Sequence, residues 1–188
     1  MSELQSREKN VEQRHPRTIV LLHWLVAASV FFLFISSWWM LSLPLPSSEF
    51  IYRELPFQLH KNIGITLFFA VMAMAVTRAI TLMASAKSGK TWLERLALWD
   101  HILIYFLLVL CCLSGYMSSS YSGWATSFWW LVDFPSWSAE NDELNILFSD
   151  IHMWSCWALL GVILLHICAA LYHAFGNDGL VDRMFRLR

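Results

Sequence analysis

Charge is what this chain has least of: Lys, Arg, Asp and Glu make up 14% of its 188 residues, against about 25% in ordinary soluble domains. So few charged groups cannot coat a water-facing surface. The 13 basic residues are offset by 14 acidic ones, and no nucleic-acid partner is expected. Cysteine is also sparse. Cys111, Cys112, Cys156 and Cys168 contain no Cys-x-x-Cys pair and read as small packing thiols within helices. A small-residue cleavage site is missing too. The first apolar run is too long for an h-region and ends in Trp38, Trp39 and Met40 before Pro44, so a removable signal peptide is not expected. Repeats and long polar linkers are absent, which leaves one domain: a polar cytoplasmic arm over 1–17, a transmembrane domain over 18–176 and a basic cytoplasmic tail over 177–188.

What the chain has instead is hydrophobic residues, 57% of the total. They gather into runs at Ile19 to Leu43, Ile63 to Met83, Ile102 to Met117 with its flanks, and Ile151 to Phe175. Each approaches or exceeds the roughly 20 residues that cross a hydrocarbon core. The third is the shortest and runs into Ser114, Gly115 and Ser118 to Ser120. The expected fold class is all-α, an integral membrane four-helix bundle in lipid, with an additional outer interfacial helix or loop. Of the 13 Lys and Arg, all but Arg53 and Lys61 fall in the arm, the second connection with its edges, Arg78 included, or the tail. The excess of Lys and Arg marks the cytoplasmic side. Both termini are therefore expected in the cytoplasm of a bacterial inner membrane.

The first outer connection, Pro44 to Leu59, holds three prolines and is expected to be irregular or to contain a short helix, whereas the inner one, Ala84 to Trp99, is short and basic. The connection from about Ser118 to Asp150 crowds Trp124, Phe128, Trp129, Trp130, Phe134 and Trp137 into its first half. Such aromatics favour the headgroup layer. They suit an interfacial helix that anchors the bundle, a lid over an outer cofactor or quinone pocket, or both.

Four histidines carry the chemistry. A metal-binding side chain at membrane depth is costly and turns to the bundle interior. One such histidine reads as a packing residue; four that agree in depth do not. His23, about one and a half turns into the first helix, shares the inner level with His166, about two turns before the end of the fourth. His60 and His152, read as opening the second and fourth helices, share the outer level. The 14 residues between His152 and His166 keep them within roughly 40° of one face and about 21 Å apart, so one helix serves two sites. A zinc or copper cluster would need three or four ligands converging on one point. Two separated pairs suit axial ligation above and below a porphyrin plane, and an iron held from both sides has no open position, so electron transfer is expected in place of oxygen binding. Without Cys-x-x-Cys-His any haem is non-covalent.

Supporting residues fit this pattern. Gly64, Gly115 and Gly161 leave room for a flat macrocycle or mark ordinary helix contacts. Lys61 beside His60, and Arg78 at the inner end of the second helix, can pair with haem propionates or snorkel to the membrane edge. His101 and His173 fall near the inner edge, where each can bond a propionate, relay a proton to a quinone or simply face solvent; His15 in the arm reads as exposed.

These residues resemble the bacterial cytochrome b561 family of four-helix di-haem b proteins. The resemblance runs from Leu21 to Phe185 and rests on Leu-His-Trp at 22–24, Leu-His-Lys-Asn-Ile-Gly at 59–64, Arg78, Asp-His-Ile-Leu-Ile-Tyr at 100–105, Leu-Ser-Gly-Tyr at 113–116, Ile-His-Met-Trp at 151–154 and Leu-His-Ile-Cys-Ala-Ala-Leu-Tyr-His at 165–173. It implies two haem b groups, with His23 paired to His166 and His60 to His152, which is the pairing that depth gives. It also implies exchange with membrane quinone such as ubiquinone. The subgroup it resembles most is often encoded beside a periplasmic lipocalin-like, isoprenoid-binding protein, and one class in the family is a superoxide oxidase that passes electrons to ubiquinone.

An anion-collecting outer face would need positive potential. Here Arg53 and Lys61 stand against Glu49, Glu54, Asp133, Glu140, Asp142, Glu143 and Asp150, a net charge of −5. Superoxide capture therefore ranks below quinone-linked transfer to a periplasmic or membrane redox partner. A haem-bearing anchor subunit of a larger dehydrogenase is the third reading. The lack of acidic residues in the apolar runs argues against a proton-coupled carrier.

Overall fold

The structure is a computed structural model and describes residues 17–43, 54–84, 92–123, 126–134 and 139–175. The arm through residue 16, the proline-rich stretch 44–53, the basic residues 85–91, Trp124, Trp137 and the tail from 176 onward lie outside the described residues. Four long helices make up the body: α1 (Arg17–Ser42), α2 (Glu54–Ala84), α3 (Trp92–Tyr121) and α4 (Asp142–Phe175). Each is long and apolar enough to cross a membrane. They are apolar around most of their circumference, as lipid requires. Ile35, Phe69, Phe106, Trp154 and Leu165 all stand on the outside.

The helices α2, α3 and α4 all begin well before their apolar runs. The Asn141 side chain accepts from Leu144 N at 3.0 Å and caps α4. Asp142 and Glu143 then add negative charge at the positive end of the helix dipole. Pro56 occupies the first turn of α2, where its missing N–H costs nothing. As a result His60 lies almost two turns inside α2 and His152 almost three turns inside α4, where the sequence reading has each opening its helix. The serine-rich end of the third run is helical as well. Ser114 Oγ donates to Leu110 O at 2.6 Å, and Ser118 Oγ donates to Asn145 Oδ1 at 3.0 Å, so these hydroxyls are satisfied within α3 or against α4.

The helices pack in chain order, α1 on α2, α2 on α3, and α3 most extensively on α4. Val26, Val30, Leu67, Val71, Leu107 and Leu159 belong to the core that joins all four. The backbones of α1 and α4 come together only marginally. Between them runs a cleft, with the Trp38 and Trp157 rings 6.5 Å apart at one point along it.

Between α3 and α4 the described part of the outer connection is a two-stranded antiparallel hairpin, β1 (Thr126–Phe128) with β2 (Val132–Phe134). Of the two expected forms, helix or loop, it is a loop built as a hairpin. It packs on α2: the Gln58 side chain donates to Ser127 O, and Trp129 Nε1 donates to Thr66 Oγ1 at 3.0 Å. Leu131 at its tip is 84% exposed, in keeping with an interfacial anchor.

Candidate functional site

At the outer level the rings of His60 and His152 meet edge-on, with centroids 6.2 Å apart and planes at 81°. A metal–imidazole bond is about 2.0 Å and the ring centre lies roughly 1.1 Å beyond the ligating nitrogen, so two imidazoles gripping one ion would have centroids roughly 6.2 Å apart. The two values coincide. His152 Nδ1 donates to Cys111 O at 2.8 Å. That bond sets the tautomer and leaves the Nε2 lone pair available. The Cys156 thiol lies 3.7 Å from the same Nε2.

Space surrounds this pair. A cavity of about 140 Å³ and a larger one of about 670 Å³ share His60, Lys61, Gly115 and His152 in their walls. The larger opens along the α1–α4 cleft between Trp38, Leu41, Met153 and Trp157, and its size falls within the range of ligand sites. Glycine matters at two points. A Cβ on Gly115 would lie 3.0 Å from His152 Cε1 and Nδ1, so only glycine lets that ring lie so close to α3. A Cβ on Gly64, one turn after His60, would meet nothing within 4 Å; this glycine borders empty space and meets no other helix among the described residues. Gly161 is open in the same way. The helix-contact alternative does not apply to either of these two.

The inner level is built differently. His166 Nδ1 donates to Asp100 Oδ2 at 2.7 Å. The His101 ring meets the His166 ring edge-on at 5.1 Å, and its own Nδ1 donates to Ala97 O at 2.6 Å. His23 lies within electrostatic range of both imidazoles. Arg78 is within range of His101 and Tyr105, and its Nε is buried without a hydrogen-bond partner. Buried donors rarely stay unpaired, and this one suits an anionic group such as a carboxylate. His173 sits further along α4 with its ring against Tyr172 at 5.8 Å.

Sequence reasoning missed Asp100. Its side chain, with those of His101 and His166, brings three possible ligand atoms within 4.8 Å of one another, a convergence that the two-pair reading does not contain. These atoms are already committed. The carboxylate holds the His166 proton and His101 Nδ1 holds a helix carbonyl, so a metal at that point would displace both hydrogen bonds. The sequence carried little signal for it: Asp100 precedes the third apolar run, and only the start of α3 at Trp92 puts it eight residues into that helix, at the depth of His166 near the end of α4.

The residues present thus fit a flat, iron-bearing, anionic group: two neighbouring imidazoles, that of His152 held by Cys111 O and that of His60 buried with its Nδ1 unpaired, glycines bordering empty space, and cations at the edges. Comparison with known proteins agrees. A family profile for prokaryotic cytochrome b561 matches residues 14–187. "Cytochrome b561 homolog 2" of Escherichia coli (strain K12) is 28% identical over 177 residues, covering 93% of each chain. Haem b is the cofactor that this family implies. With four spans and a match over nearly its whole length, the chain belongs to the prokaryotic cytochrome b561 family and is a multi-pass bacterial membrane protein of electron transfer.

Proposed function

We propose that the protein carries two haem b groups in the inner membrane, both termini cytoplasmic, and exchanges electrons between membrane quinone and a redox partner at the periplasmic face. The supporting observation is the pair His60 and His152, 6.2 Å apart beside a cavity of about 670 Å³. His166, on the same helix as His152 and about 21 Å away along it, presents its free nitrogen at the other level. His23 on α1 is its counterpart across the bundle. When bound, haem b supplies a one-electron iron couple, and two of them match the two electrons that oxidation of a quinol to a quinone releases with two protons. The chain's own part is to hold four imidazoles, to place Lys61 and Arg78 at the edges for propionates, and to fill the middle with Val30, Leu67, Val71 and Leu108 so that water is excluded.

The outer rim favours a protein partner. Asp133, Glu140, Asp142, Glu143 and Asp150 are all exposed, a surface for a basic patch on a periplasmic protein; the lipocalin-like, isoprenoid-binding neighbour of the subgroup is the partner to try first. Superoxide oxidation is the second reading, because Lys61 lines the outer cavity. Glu54 and Asp150 line the same cavity and oppose an incoming anion, which keeps it second. The purified protein should contain two b-type haems per chain, and a short-chain quinol should reduce both. Protein without haem absorbance would refute the reading. Reduction by superoxide near the diffusion limit, with none by quinol, would reverse the ranking.

A further inference from the structure

The two histidines that α4 brings to the sites lean on different acceptors. His152 donates its Nδ1 proton to a neutral backbone carbonyl, Cys111 O, at 2.8 Å. His166 donates the corresponding proton to a carboxylate, Asp100 Oδ2, at 2.7 Å. Both bonds leave Nε2 as the ligating nitrogen. They differ in the charge behind it. A carboxylate draws the Nδ1 proton toward itself and pushes electron density to Nε2, which makes the imidazole a stronger donor and stabilises the more oxidised state of a bound metal. A carbonyl does the same far more weakly. At the inner level His101 is occupied by Ala97 O and lies 3.9 Å from the carboxylate, and Arg78 lies within electrostatic range of His101, but Asp100 has no Lys or Arg ion-pair partner among the described residues and its charge acts directly on the His166 ring.

We propose that Asp100 is a positioning residue that makes the inner centre the lower-potential one of the two, so that at equilibrium a single electron rests on the outer side. The proposal rests on the two-centre reading above and adds a direction to it. Asp100 acts through His166 and touches neither quinone nor iron. Its side chain also fixes the ring, because rotation about the Cβ–Cγ bond of His166 would break the 2.7 Å bond.

The test is a spectroelectrochemical titration of the full-length, haem-loaded protein in lipid nanodiscs, where the wild type should titrate as two one-electron waves. His60→Ala, which retains the inner pair, assigns the inner wave. In Asp100→Asn the size is kept and the charge removed. The reduction equilibrium of the inner wave should then shift roughly tenfold, the low end for partners behind a ligand, or about 59 mV in the positive direction. The outer wave should stay, and Asp100→Glu should return the inner wave toward the wild-type position. Both waves unmoved, or both moved together, would overturn the proposal. If Asp100→Asn fails to retain the inner haem, Asp100→Glu decides: two waves with the inner one at the lower potential support the assignment, and an inner wave above the outer one, or its loss, overturns it. Wild-type protein lacking two haems fails at the first measurement, before any variant is made, and removes the two-centre reading together with this proposal.

Discussion

The outer and inner histidine levels use the same residue type on the same helix, yet they are built on opposite plans. Outside, His60 and His152 lie edge-on to each other and line the same cavities, with glycine where a side chain would intrude. Inside, His166 is closed in by an aspartate and a second histidine. Helical spacing brings both to one face of α4, and what lies opposite then decides their character. Across from His152 is α3 backbone, admitted by Gly115; across from His166 is the Asp100 side chain. The two proposed centres, made from the same ligand type, would thus differ in electronic character without any difference in ligation.

The most direct way to break this comparison is to remove one ligand at a time. His152→Ala should take haem content from two per chain to one and leave the inner wave in place, and His166→Ala should do the reverse, as read by pyridine haemochrome assay. Loss of both haems from either variant would mean that the levels are not independent. Gly64→Leu comes next. Its side chain would enter the empty space beside His60, so outer haem content should fall severalfold while the inner haem is kept. Gly115→Ala is milder. The added methyl would lie 3.0 Å from the His152 ring, so the ring must shift, at a cost of about 1–3 kcal/mol for an overpacked position. The measurement is the thermal loss of the outer haem band, which should occur at a lower temperature than in the wild type while the inner band is unchanged.

Much of this was legible in the sequence because lipid is a strict solvent. Four apolar runs force four helices, and histidines at membrane depth must turn inward whatever the details. The depth of His60 and His152 within their helices was not legible from hydropathy. Asn141, Asp142, Glu143 and Pro56 extend α4 and α2 beyond the apolar boundary through caps and dipoles, and an apolar window does not see them. Asp100 was hidden for a related reason. It precedes the third apolar run, so it reads as an edge charge until α3 is seen to start at Trp92 and to carry it alongside His166. The hairpin was the least legible part, since β1 and β2 are three residues each and their turn lacks the usual glycine or asparagine.

That turn supplies the smallest and most local test. Trp129 and Trp130 both adopt positive φ, 48° and 58°, between Phe128 and Leu131, whose backbone N–H closes on Phe128 O at 3.0 Å. Non-glycine residues held this way cost on the order of 1–3 kcal/mol each unless the surroundings hold them. The Trp129 Nε1 bond to Thr66 Oγ1 and the seat of the hairpin on α2 are what hold them here. Trp129→Phe keeps one aromatic ring and removes the donor, so it should weaken the docking of the hairpin by about 0.5–1.5 kcal/mol from the hydrogen bond alone. Amide exchange in 126–134 should rise accordingly. Because the hairpin packs on α2 beside Gln58 and Thr66, on the His60 side of the bundle, any change in haem retention should appear at the outer centre. An equal effect on the inner one would show that the core of Val30, Leu67 and Val71 couples the two levels and does not merely separate them.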